Sequence, residues 1–266
     1  CVYMGAGRGR YKENTCATAE AGGPWDYIFR EPRPGLTDNP QWYVDSNALL
    51  ESSQSYEITA TANGTQTFSA TGLTKFNITC KTAKLASEAR IVGSVAPAAG
   101  TSKEKIEYGE CALEGKLECE INGKTGVSKE AKITTANLAG KLAYSSAASA
   151  EKEEVEESSV STSDLLLKPA EGSTFATIKF GKGGCPLETT FNIEGEVLSK
   201  ELGEPGIMAT THEVELLKEG TYWEDNSEKK AVSHTVGKLK GLFESIGLTG
   251  KLVLEVKGGE PWFITN

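Results

Sequence analysis

Two histidines, at 212 and 234, and five aspartates, at 26, 38, 45, 164 and 225, carry much of the acid–base and metal chemistry open to these 266 residues. His212-Glu213 begins like a zinc-protease helix, but the second histidine of that motif would stand at 216, where the chain has Leu216. The local alternation of His212, Val214 and Leu216 predicts a strand instead. Two histidines cannot build a His-rich metal centre. Gly123-Lys124-Thr125 ends like a phosphate loop, yet Glu118 stands where that loop needs its first glycine. Gly5-Ala6-Gly7-Arg8-Gly9 lacks the full dinucleotide spacing and has no strand before it. No nucleophile elbow presents a serine, and no cluster of Asp and Asn has calcium-loop spacing. The reading is of a non-enzyme with no catalytic, cofactor or metal residues.

Glutamate is the one plentiful acid: 37 acidic residues less five Asp leaves 32 Glu. Two of them flanking one bond would make a glycoside hydrolase. Glu104, Lys105, Glu107, Glu110, Glu114, Lys116 and Glu118 read instead as solvent-facing strand positions. Trp25, Trp42, Trp223 and Trp262 are the candidates for a sugar-stacking platform, and core packing is the commoner fate of tryptophan.

The six cysteines, at 1, 16, 80, 111, 119 and 185, include no CxxC pair. An even number without zinc spacing points to disulfides in an oxidising compartment. Of the 15 pairings that six cysteines allow, the preferred set is Cys1–Cys16, Cys80–Cys185 and Cys111–Cys119. The first and last close short loops. A chain starting at Cys1, with no initiator Met and no signal peptide, reads as a processed, secreted protein. A lipidated Cys1 and partly free buried thiols are the alternatives.

The elements that must carry these residues are mostly strands. Residues 1–45 hold four of the five Arg, four Pro and seven aromatics, and predict an extended arm. Trp25, Tyr27, Phe29, Trp42 and Tyr43 are its candidate subunit-contact anchors. Residues 46–144 form a β-rich half, with period-two alternation through Tyr56, Ile58 and Ala60 and through Phe76, Ile78 and Cys80. Asn63-Gly64 and Asn122-Gly123 both read as type I′ hairpin turns. Residues 145–163, with five Glu and one Lys, form an acidic low-complexity loop. Residues 164–266 form a second β-rich half, with strands over 165–167, 175–180, 191–197 and 251–256. The spacing of Val236, Leu239, Leu242, Phe243 and Ile246 predicts a short helix over 235–246, capped by Gly247. A faint echo pairs Phe76–Cys80 and Arg90–Val95 with Ile178–Cys185 and Asn192–Val197, and suggests Cys80–Cys185 as a bridge between equivalent positions. The fold class is thus mostly β: an antiparallel sandwich or barrel, with two pseudo-repeated halves as one arrangement, an extended N-terminal arm and one short C-terminal helix.

Lys+Arg 28 against Asp+Glu 37 gives a formal charge of −9, which argues against nucleic acid as a partner. No apolar run is long enough for a membrane-spanning helix.

The Cys1–Cys16 segment, the Phe76–Cys80 and Arg90–Val95 strands and the Cys111…Cys119 pair together resemble uncharacterised secreted, disulfide-containing β-rich proteins of actinobacteria. Asn137–Leu142, Asp164–Pro169 and Phe175–Cys185 continue the likeness, which covers about residues 1–200. It implies secretion and disulfides and no activity.

The function expected is that of a secreted structural protein: a subunit of an extracellular filament, pilus-like fibre or surface coat. The N-terminal arm would join a neighbour's sheet edge, giving a homopolymer. A carbohydrate-binding or adhesin module, with polysaccharide as partner, is the alternative. The Glu-based hydrolase ranks third.

Overall fold

The computed structural model describes residues 2–3, 9–12, 18–23, 25–26, 40–45, 47–49, 51–71, 75–86, 88–94, 98–146, 161–202, 208–225, 231–236, 239 and 245–264. The first four strands are β1 (Val2–Tyr3), β2 (Gly9–Tyr11), β3 (Ala19–Gly23) and β4 (Trp25–Asp26). They pair with one another in the order β1-β4-β2-β3. The segment expected to be an extended arm therefore satisfies backbone groups within itself, the outcome that a stretch of adjacent short strands reaches without a neighbour. Cys1 and Cys16, with the bridge expected between them, lie outside the described residues, as do Tyr27 and Phe29.

Next come β5 (Trp42–Val44), β6 (Asn47–Ala48), β7 (Ser55–Ala62), β8 (Gln66–Thr71), β9 (Phe76–Leu85), β10 (Arg90–Val92), β11 (Thr101–Glu104) and β12 (Ile106–Leu113). β13 (Glu120–Ile121), β14 (Lys124–Thr125), β15 (Ile133–Thr134), β16 (Leu138–Ser146), β17 (Ser161–Pro169), β18 (Thr174–Lys179) and β19 (Thr190–Glu194) follow. β20 (Val197–Glu201), β21 (Thr211–Leu217), β22 (Gly220–Asp225), β23 (Ala231–Val236), β24 (Ser245–Val256) and β25 (Trp262–Ile264) complete the chain.

Ten of these close an antiparallel barrel. The order is β11-β10-β7-β9-β8-β24-β21-β20-β17-β16, and β16 returns to β11 through Thr101↔Lys141 to Glu104↔Leu138. Both β-rich halves contribute to this one ring, and they meet at β16–β17 and along β24. Closure removes the open edges that an isolated sheet would leave. Alternation along each strand sends one parity inward. Registers such as Val256↔Ile58, Ser199↔Leu216 and Ile91↔Ser102 carry that parity around the ring.

The interior is filled by a single core that includes Ile58, Phe68, Ile91, Leu142, Leu216 and Leu252. One end is covered by β5, β6 and β25: Trp42 Nε1 donates to the Thr101 carbonyl at 2.9 Å, and Trp42 and Trp262 pack 5.8 Å apart. The opposite end, where β11 runs on into β12, is packed by aromatics. Tyr108 meets Phe68 edge-on at 5.0 Å, and Phe180 lies against both Phe76 and Phe191. A small satellite core of Ala143, Leu166, Leu198 and Tyr222 sits on the opposite parity, under β22.

Several expectations need correction. Cys80 bonds Cys111, and Cys119 bonds Cys185; neither Cys80–Cys185 nor Cys111–Cys119 forms. Register decides this. Cys80 on β9 stands directly opposite Cys111 on β12, and Cys119 enters β13, whose end bridges Phe180 just before Cys185. The repeat argument for Cys80–Cys185 fails because β9 belongs to the ring, whereas β18 and β19 pair as a separate hairpin.

Asn122-Gly123 does make a two-residue hairpin, with φ of +51° and +79° and Ile121 opposite Lys124. Asn63-Gly64 does not. Ala62 pairs with Leu252 and Thr67 with Thr249, so β7 and β8 keep one direction along β24. Asn63–Thr65 is a bulge between them.

No helix occurs among the described residues. Val236 ends β23, Leu239 bridges Ile246, and Ser245 already begins β24. The rest of the helix expected over 235–246, residues 237–238 and 240–244, lies outside the described residues. Of the acidic loop, Ser145↔Thr162 and Ser146↔Ser161 are paired strand ends, and 147–160 lies outside the described residues.

Candidate functional site

Two groups of polar side chains are buried inside the barrel, and each is set by strand parity. The first lies on β11. Ser102, Glu104, Ile106 and Tyr108 share one parity and point inward, while Lys103, Lys105 and Glu107 take the other. The Ser102 hydroxyl donates to Glu104 Oε1 at 2.6 Å. Gly140 of β16 stands opposite Ser102. A Cβ at Gly140 would collide with Ser102 Oγ, so the glycine makes the space that this pair occupies. Burial pushes the Glu104 carboxyl up to about 7, against a partial counter-effect from the Ser102 hydroxyl. Burial, and secondarily the Glu104 charge, pushes the Tyr108 phenol upward. Tyr108 Oη is buried with no hydrogen-bond partner.

The second group lies at the tryptophan end. His212 is on β21, as the alternation predicts, and is 6% exposed. Its Nε2 lies 2.6 Å from the Trp262 carbonyl oxygen. A carbonyl only accepts, so Nε2 carries a hydrogen. Its Nδ1 meets Glu201 Oε1, so the two side chains hold one proton between them. The Trp262 ring packs on the imidazole with centroids 4.1 Å apart, and its own Nε1 has no partner. The Glu201 amide donates to Asp164 Oδ1 at 3.3 Å.

The two buried glutamates are not a hydrolytic pair. Glu104 faces Leu138, whereas Glu201 is tied to Asp164, which stands opposite Ala143. Leu138 and Ala143 are five residues apart on β16, or about 16 Å along the strand direction. A glycosidase needs its carboxyls within about 10 Å.

Sequence reasoning placed Glu104 among solvent-facing residues, which the structure corrects. The signal was present: Glu104 shares parity with Ile106 and Tyr108, and its lysine neighbours do not. Glu201 likewise follows Val197 and Ser199 in step. Of the proposed contact residues, Trp42 is 1% exposed and lies in its own chain's core, so it is not offered to a neighbour. Tyr43 is half-buried and stacks on Phe263 at 4.7 Å. Trp25 pairs through its backbone with Tyr3 and Tyr11. For the sugar-platform idea, Trp42 and Trp262 are both buried. Among the described residues no group of three or more His, Cys, Asp or Glu is placed to hold a metal. No helix there is long and apolar enough to cross a membrane.

Outside the barrel, several charges are paired. Glu213 receives Lys251 Nζ at 3.0 Å and Asn63 Nδ2 at 2.5 Å, and Lys257 meets Glu57 at 2.5 Å. Comparison of the chain with family models, with curated proteins and with solved structures finds no match.

Proposed function

We propose that this chain is a structural protein of the extracellular space, a repeating subunit of a filament, fibre or surface coat. The observation that carries this reading is the filled barrel. Its interior is filled by one large apolar cluster around a few paired polar side chains, and both ends are covered, so the barrel supports a rigid body better than a vessel for a ligand. Two disulfides among the described residues favour an oxidising, extracellular setting. The N-terminal segment remains the element proposed for subunit contact, now as a small sheet. Its outer strands, β1 and β3, each have one partner among the described residues, and an unpaired edge accepts a further strand.

Size-exclusion chromatography and negative-stain microscopy of the oxidised protein test this reading. Polymers are expected from the whole chain and monomers from a chain lacking residues 1–39, which leaves the barrel intact. A strictly monomeric whole chain, at every concentration and salt tried, would sink the proposal.

A further inference from the structure

The ring's contacts differ in length, and it closes where β16 returns to β11. Along β24 the contact is long: β8 pairs over five positions and β7 over five more. At β11–β16 it is four residue pairs, from Thr101↔Lys141 to Glu104↔Leu138. The short seam is also where the barrel buries a carboxyl, held by the Ser102 hydroxyl in the space that Gly140 leaves.

We infer that the Ser102–Glu104 pair is a proton-operated latch on the β11–β16 seam, closed when the carboxyl carries a proton and weakened when it does not. The geometry supplies the reason. A protonated carboxyl is a compact dipole with one donor and acceptor capacity to spare, suited to a single hydroxyl partner. A carboxylate in the same place needs several donors or a cation. The surroundings offer neither. From β10 it is Ile91 that shares the inward parity, from β16 it is Leu138 and Gly140, and from β12 it is Ile106 and Tyr108. The nearby cations sit on the other parity. Arg90 is in register with Lys103 and Glu57, and Lys141 with Thr101. Tyr108 is the other titratable side chain facing this group, and its phenol is held neutral. Among the described residues nothing inward of the seam compensates the charge.

The sign follows from the direction of the shift. The folded chain holds this proton up to about 7 and the unfolded chain only to about 4.5. The stabilisation is complete below about 4.5, is lost as pH rises toward 7, and is constant above that. Over that window the folded-to-unfolded ratio should fall on the order of 100-fold through this one group. The barrel would then tighten in mildly acidic surroundings and loosen its seam at neutral and alkaline pH.

The test compares the oxidised wild-type protein with Glu104→Gln, which mimics the protonated carboxyl. Urea midpoints from pH 4.5 to 8 should fall for wild type and fall much less for the variant. Hydrogen exchange, corrected for the intrinsic rate, should show amides of β11 and β16 losing protection across that range while those of β8 and β24 keep theirs. Parallel pH profiles for the two proteins, or uniform loss of protection around the ring, would overturn the latch. Should the variant not fold, carboxyl carbon-13 titration of the wild type decides. A Glu104 midpoint near 7 supports the latch, and an ordinary carboxylate midpoint overturns it.

Discussion

Cys80 and Cys111 stand opposite one another on neighbouring antiparallel strands and are bonded, so this bridge joins two residues that backbone pairing already holds together. Cys119–Cys185 is different in kind, because it ties a short hairpin to a loop 66 residues away. Digestion without reduction should release one peptide pair joining 80 to 111 and another joining 119 to 185. Chain-entropy arithmetic gives each bridge about 4 kcal/mol, from loops of 31 and 66 residues. Replacing Cys119 and Cys185 together by serine should lower stability by an amount of that order, read from urea midpoints.

Gly140 is fixed by its neighbour across the seam. A Cβ there meets Ser102 Oγ and comes within 2.9 Å of Leu165 Cδ1. Gly140→Ala should cost about 1–3 kcal/mol, the usual cost of overpacking. Combining it with Ser102→Ala should recover much of the loss, because the closest colliding atom is gone. Equal stability for the single and double variants would show that the clash is relieved by other means.

His212 and Glu201 are expected to behave as a unit. Removing one partner leaves a buried polar group alone, which costs about 3–5 kcal/mol. His212→Leu should therefore be severe, whereas His212→Leu with Glu201→Leu should be milder than the single change. Thermal melts of the three proteins check the order.

Stability should peak on the mildly acidic side. The carboxyls of Glu57, Glu107, Glu130 and Glu213 lie below the ordinary range, each chiefly through hydrogen bonds to lysine. Their contribution is present above about 4.5 and is lost as pH falls below it. The Glu104 contribution runs the other way and fades toward 7. Denaturation midpoints across pH 3–8 should rise, reach a maximum near pH 4.5–5.5 and then decline. Salt should flatten the acidic limb, which rests on exposed pairs, more than the other.

The β class and many strand faces were legible because alternation is local and period two cannot be confused over eight residues. Partnership was not legible. Two Asn-Gly dipeptides have the same chemistry, yet Asn122-Gly123 turns the chain and Asn63-Gly64 does not. The difference lies in β24, far away in sequence, which pairs with the strands on both sides of Asn63. Cysteine pairing failed for the same reason, since it depends on which strands become neighbours. Glu104 was readable in principle from its step with Ile106 and Tyr108. A run of alternating Lys and Glu around it drew the reading toward solvent. The described ends of the helix expected over 235–246 belong to β23 and β24, because helical spacing among apolar residues does not tell which of them will pair in a sheet.

The long strand β24 also governs when the barrel comes into being. Gln66 donates to the Lys251 carbonyl across a sequence separation of 185 residues, and residues 58–62 and 67–71 take one of their two neighbouring strands from that same late segment. As the chain emerges in order, β7 and β8 are made long before the strand that pairs with both. Assembly of the ring is therefore a post-synthetic event. Until then the inward faces of Ile58 and Phe68 stand uncovered. A chain of such high contact order folds slowly, and it needs either a partner that shields these faces or a route that delivers all of it before folding begins.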